Sequence, residues 1–299
     1  MNRILGILAV ILASILWGTT GTAATFAPLL SPLLIGSLAM GIGGILQCTL
    51  AIPKIIKERH LLTKHFGFLI VGAIAVMIYP LAFYSSMRLS GVTIGTVVSI
   101  GSAPILSAII EYISRDFRLT KQWLIGASCG ILGIILLAFS ENNSTTNQYD
   151  HITIGILLGL IAGFTYALYS WSARQLMLKG IATKSAMGAT FGCGGILLIP
   201  VMLLTGSALF DSLTNMTVCI YMALIPMFLG YLCYGYGLSK ISASSAITIS
   251  LLEPVIAAIL AMLIIGEQMS LVGWFGVILI FLCLMFVTLS SITNLSASA

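Results

Sequence analysis

Ten apolar runs, each close to the length of a helix that crosses a bilayer, divide this sequence from end to end. They cover Ile4–Phe26, Pro32–Pro53, Phe66–Met87, Thr93–Tyr112, Trp123–Phe139, Ile152–Ala173, Ser185–Leu204, Thr217–Leu238, Ala243–Ile265 and Leu271–Ser291. The connections are short, and Lys54–His65 and Ser140–His151 are the longest polar ones. With 59% hydrophobic and 7% charged residues among 299, no room is left for a sizeable aqueous domain. The expected fold is an all-α integral membrane protein of ten transmembrane helices. Arg3 and the run after it resemble a signal peptide. That run is too long for a signal core and nine similar ones follow, so it reads as the first transmembrane helix.

Lys and Arg fall in alternate loops. With the N-terminus inside, Arg3, Lys54, Lys57, Arg59, Lys64, Arg115, Arg118, Lys121, Arg174, Lys179, Lys184 and Lys240 collect on the cytoplasmic side. Only Arg88 lies outside, a split of twelve to one, while Glu141, Asp150, Asp211 and Glu267 mark the outer loops. The expectation is a multi-pass protein of the cytoplasmic membrane with both termini cytoplasmic. Trp123 and Trp274 open their helices at opposite faces, as aromatic belts do. Arg88 reads as an interfacial residue that snorkels to water.

Several function classes drop out. The net charge of +5 is scattered through short loops and is no nucleic-acid signature. The six cysteines lie inside or at the ends of apolar runs with no C-x-x-C pair, so neither a metal site nor a disulfide framework is expected. Phosphate loops, catalytic triads and H-E-x-x-H patterns are absent, so the expected protein is not an enzyme and takes no cofactor. Two sequons, at Asn142 and Asn143, carry no weight.

The two halves of the chain echo one another. Gly6-Ile-Leu opens the first run and Gly155-Ile-Leu the sixth, with Trp17 and Tyr166 eleven residues later. Met40-Gly41 answers Met187-Gly188, Tyr84 answers Tyr234, Pro104 answers Pro254, and Trp123 answers Trp274. The offset stays between 147 and 151 residues. Each half, residues 1–140 and 151–299, holds five spans, an odd number, so the halves enter the membrane in opposite senses. Inverted repeats of this kind are typical of secondary transporters with a site near the midplane.

The chemistry converges on Ser250-Leu-Leu-Glu253-Pro254, midway along the ninth run. A carboxylate at that depth costs on the order of 2.5–3.5 kcal/mol, so it needs a partner, a proton or water. Two readings stand side by side: a functional carboxylate, and a protonated one hydrogen-bonded to a neighbouring helix. Pro104 and Pro254 are matched helix-breakers, and matched interruptions point to a transporter site. No second acid is expected within a span. Ser99 and Ser102 form a hydroxyl stripe on the fourth run with Thr96. Tyr166 with Tyr169, and Tyr231 with Tyr234, share faces of the sixth and eighth runs, and Tyr79 and Tyr84 add a patch on the third. A phenol in hydrocarbon seeks a hydrogen-bond partner, so these faces should point inward. Gly155, Gly159 and Gly163, and Gly188 with Gly192, read as close helix packing within one chain.

The block from Gly230-Tyr-Leu-Cys-Tyr-Gly-Tyr through Leu-Leu-Glu253-Pro254 to Gly266-Glu267, with Trp17-Gly18, resembles the EamA-type exporters of the drug/metabolite transporter superfamily. The first half departs from the usual pattern, with Gly101-Ser-Ala-Pro104 lacking an acid and Arg115-Asp116-Phe-Arg118 in place of a Gly-Glu turn. The resemblance implies a central cavity between the halves and export of small metabolites, often amino acids. The expected site is Trp17, Tyr79, Tyr84, Ser99, Ser102, Tyr166, Tyr169, Tyr231, Tyr234, Ser250 and Glu253, with Pro104 and Pro254 as gating breaks. Glu253 is the candidate for proton coupling or for recognising a cation. The expected partners are a small molecule such as an amino acid, the lipid bilayer and protons, in a monomer or homodimer. A multidrug or lipophilic-cation exporter is one alternative; a membrane assembly or chaperone subunit that transports nothing is another.

Overall fold

The structure, a computed structural model, describes residues 2–114, 120–141, 151–266 and 269–293. Arg115, Asp116, Arg118, Asp150, Glu267 and the sequons at Asn142 and Asn143 lie outside the described residues. Twelve α-helices follow in order: α1 Asn2–Thr25, α2 Pro32–Lys64, α3 Phe66–Ser90, α4 Val92–Ile113, α5 Lys121–Glu141, α6 Ile152–Leu178, α7 Thr183–Thr205, α8 Leu213–Met222, α9 Gly230–Leu238, α10 Ala243–Ile249, α11 Leu252–Leu260 and α12 Leu271–Thr293. Ten spans result among the described residues, because α8 continues through a π-helical stretch into α9, and α10 runs through a two-residue turn into α11. Large apolar side chains such as Leu8, Ile74, Leu157 and Phe281 are exposed on the outside of the bundle, as contact with lipid requires.

Local chemistry sets the ends. Ser31 caps α2, its hydroxyl accepting the Leu34 N–H at 3.1 Å, and Pro32 fills the first helical position, where no donor is needed. Gly91 alone separates α3 from α4, and its φ of 88° lies in a region that side-chain-bearing residues rarely enter. Here α2 differs from the sequence reading. Residues 54–64 were expected to be a polar connection, yet the helix runs unbroken to Lys64. Polarity marks where the bilayer ends, and Lys, Glu and Arg are good helix formers.

Pairing follows a symmetry. Besides the large α2–α7 and α5–α12 contacts, α3 and α4 pack on α6, and α1 packs on α9 and α11. Exchanging each span with the one five later maps this set onto itself. Small residues bring the backbones together. An added Cβ at Gly188 would stand 2.5 Å from the Ala51 Cβ, and one at Gly155 2.7 Å from the Ser90 nitrogen. Both glycine stripes therefore serve contacts within the chain.

Two features correct the expectations. Trp123 is buried, 2% exposed, and is no belt residue, whereas Trp274 is exposed to the surroundings. Glu111 lies within a candidate span and is fully buried, so Glu253 is not the sole acid at membrane depth.

Candidate functional site

Span nine breaks one turn before Pro254. The ring leaves residue 254 without an N–H to bond the Ser250 carbonyl, and that carbonyl accepts the Glu253 N–H at 3.0 Å instead. Leu251 likewise reaches back only three residues, to Thr248 at 3.3 Å, and the helix restarts at Leu252. The freed end is tied to the aromatic wall: the Ser250 hydroxyl lies 2.8 Å from the Tyr166 hydroxyl on α6. Pro104 behaves differently from its expected role, because α4 continues through it as one helix.

Span eight carries a break that the sequence reading passed over. Around Pro226 the backbone is π-helical from Ala223 to Leu229, and the Gly230 N–H bonds Ile225, five residues back, rather than Pro226. The Pro226 carbonyl accepts the Trp17 indole N–H at 2.9 Å, and the next carbonyl, of Met227, accepts the Gln47 amide at 3.4 Å. Gly230 makes room for that indole, since a Cβ there would meet Nε1 at 2.8 Å.

Around this anchored Trp17 the aromatics assemble. Its ring centre lies 4.8 Å from Tyr231 and 5.1 Å from Tyr234, with Tyr166 edge-on at 6.5 Å. Tyr79 sits 5.6 Å from Tyr166 and 5.7 Å from Tyr169. The phenols satisfy one another: Tyr169 pairs with Tyr231 at 2.8 Å, and Tyr234 with Ser170 at 2.9 Å. A cavity opens beside the cluster, lined by Trp17, Thr20, Gly36, Ala39, Met40, Tyr79, Pro80, Phe83, Tyr84, Tyr166, Met227, Tyr231 and Glu253. Its open space is ≈ 40 Å³, enough for a few waters and too little for a metabolite.

Six expected residues thus meet on one cavity: Trp17, Tyr79, Tyr84, Tyr166, Tyr231 and Glu253. Tyr169 and Ser250 stand behind it, hydrogen-bonded to the lining residues Tyr231 and Tyr166, and Tyr234 packs its ring against Trp17 from behind while bonding Ser170. Ser99 and Ser102 are not brought to it. They face Gly163 of α6, where the Ser102 hydroxyl and the Ser99 carbonyl fill the space that a side chain would take. Glu253 carries the site's charge, and among the described residues no hydrogen-bond donor or cation meets its carboxylate. Phe83, Met227 and Gly36 were missed. A Gly opposite a Tyr one span away, as Gly36 stands against the Tyr84 ring, leaves no mark in a single sequence.

Among the described residues, ten apolar spans, two of them interrupted beside a cavity with one unpaired carboxylate, make the kind of architecture that membrane transporters use. The comparisons agree. The profile of the EamA-like transporter family matches residues 4–139 and again 153–289, and the chain belongs to that family, the EamA-type branch of the drug/metabolite transporter superfamily. It is 29% identical to the uncharacterized transporter YwfM of Bacillus subtilis, covering 94% of this chain and 93% of that one. It is 25% identical to the uncharacterized inner membrane transporter YicL of Salmonella typhimurium over 96% of each. Protein PecM of Dickeya dadantii is 27% identical, covering 92% of this chain and 89% of its own. A solved crystal structure superposes with a TM-score of 0.80 over 97% of this chain and 98% of that one, at 16% identity, and shows the same fold.

Proposed function

We propose that the protein exports an amino acid, or a metabolite of similar size and amphiphilic character, across the cytoplasmic membrane by alternating access. The observation that carries this is the position of Glu253: beside the break in span nine, on a cavity walled by aromatic rings, with no partner for its carboxylate among the described residues. The halves, residues 1–140 and 151–299, are the moving bodies, supported by the double match to the family profile and by the exchange symmetry of the helix contacts. Both termini face the cytoplasm, on the strength of the Lys and Arg distribution. The cavity lies in the half of the bundle toward the α1–α2 loop, which this orientation makes the outer half. At the other end Val10, Leu238 and Ile247 are fully buried. This is a state closed to the cytoplasm and constricted at the site. Cargo binding requires the rings to part.

Glu253 takes up a proton on one side and releases it on the other, which couples export to the proton gradient. A second reading keeps the same carboxylate as the counter-charge of a lipophilic cation. The rings of Trp17, Tyr84 and Tyr231 on the same cavity favour it, since their faces attract cations.

The test is Glu253→Gln in proteoliposomes, with radiolabelled amino acids and tetraphenylphosphonium as separate probes under an imposed pH gradient. The variant should insert normally, lose uphill transport and keep exchange of substrate for substrate. A variant matching its parent across the pH range removes proton coupling from the mechanism. Loss confined to tetraphenylphosphonium establishes the cation reading.

A further inference from the structure

At the end of the bundle opposite the cavity, a buried carboxylate and a partly buried guanidinium take no part in the site. Glu111, near the end of α4, is fully buried; its Oε1 accepts the Ala243 N–H at 2.8 Å and its Oε2 the Ser244 N–H at 2.9 Å. Arg174 of α6 was expected in a cytoplasmic loop, but it lies inside the helix and donates to the carbonyls of Leu238 and Ile241. The turn that joins span eight to span nine is therefore gripped at both edges. The start of α1 covers the same turn, with Gly6 against the side chain of Lys240.

A charge out of water is tolerated only when its hydrogen bonds are made. Both of these groups bond the backbone of one short turn. If the turn leaves, both groups lose these bonds together and the buried Glu111 must be rehydrated, so the contact is either closed or open and wet. The matching position in the other half lacks such a group. Seven residues beyond Pro104 stands Glu111, and seven beyond Pro254 stands Ala261. Among the described residues the grip is seen at one end.

We propose that Glu111 and Arg174 form a latch that holds this end of the transporter shut, and that the turn between α9 and α10 leaves them whenever this end opens. The inference rests on the alternating-access reading above, and its test uses no cargo, so the two fail separately. In a background with the six native cysteines replaced, Val10→Cys reports the latched end and Ala39→Cys the cavity end. Both positions are buried. Each is labelled in membranes with a permeant maleimide, alone and combined with Glu111→Gln or Arg174→Gln.

Removing charge-assisted hydrogen bonds should raise labelling at Val10→Cys by about tenfold or more and lower it at Ala39→Cys. A parent that is latched but shows no flux would sink the transport reading and leave the latch standing. Labelling of Val10→Cys within twofold of the parent in both variants overturns the latch. So does an equal rise at both positions, which means general loosening. Loss of both variants and of Glu111→Asp from the membrane overturns it as well, because the contact is then a requirement of folding.

Discussion

Gly18 and Gly21 lie one turn apart on α1, and alanine should act very differently at the two. A Cβ on Gly18 would stand 2.6 Å from the Ile256 Cβ and 2.9 Å from the Glu253 carbonyl oxygen of α11. Neither atom is the loose end of a side chain. Reaching ordinary contact at 3.4 Å requires α1 and α11 to separate by about 0.5–0.8 Å, and overpacking of this kind typically costs about 1–3 kcal/mol. The separation falls at Glu253 itself, so it widens the site as well as weakening the fold. At Gly21 nothing lies within 4 Å, and the same substitution only raises helix propensity, by up to about 1 kcal/mol. Purified Gly18→Ala and Gly21→Ala should be compared by thermal denaturation in detergent and by transport in proteoliposomes. Gly18→Ala should melt several degrees below the parent with impaired transport, while Gly21→Ala stays at or above it with transport intact. Equal melting and equal transport in the two variants would refute the claim that α1 and α11 touch at the site.

Trp17→Phe keeps a ring but leaves the Pro226 carbonyl without its donor, and should lower stability by about 1–3 kcal/mol, read as a fall in melting temperature. Tyr84 lines the cavity and is only half-buried, so Tyr84→Ala should change transport affinity at near-normal membrane abundance. Tyr234 is fully buried, so Tyr234→Ala should cost about 3–5 kcal/mol and reduce abundance; the reverse pattern in this pair would show that the cavity is misassigned. Lys57, Lys179 and Asp211 are all exposed. An impermeant thiol reagent applied to intact cells should label Asp211→Cys and spare Lys57→Cys and Lys179→Cys, and labelling of Lys57→Cys would invert the orientation.

The spans were legible because apolar runs of that length have one stable solution in a bilayer, and the aromatic cluster because tyrosines three residues apart share a helix face. Less of the site and of the contact at the opposite end was legible, for three physical reasons. Proline marks where a helix can break, and its neighbours decide whether it does: Pro254 interrupts its span and Pro226 lengthens a turn, while Pro104 leaves α4 whole. A hydroxyl stripe shows a face that avoids lipid without showing what meets it, and here the Ser102 hydroxyl meets a glycine. Glu111 sits at the edge of its apolar run, where an acid reads as solvated. Only the fold brings the first backbone donors of α10 onto it.

The π-helical stretch at residues 223–229 puts span eight out of phase with itself. An α-helix turns about 100° per residue, and a π-turn holds one residue more than an α-turn, so everything after the stretch is rotated by about that angle relative to what precedes it. Tyr231 and Tyr234 point at Trp17 only because of this offset. Length is therefore as much a part of the site as composition. Most substitutions among these seven residues keep the phase, whereas deleting one would restore a regular helix and swing both tyrosines roughly a quarter turn away, emptying the aromatic wall without touching a single residue that forms it.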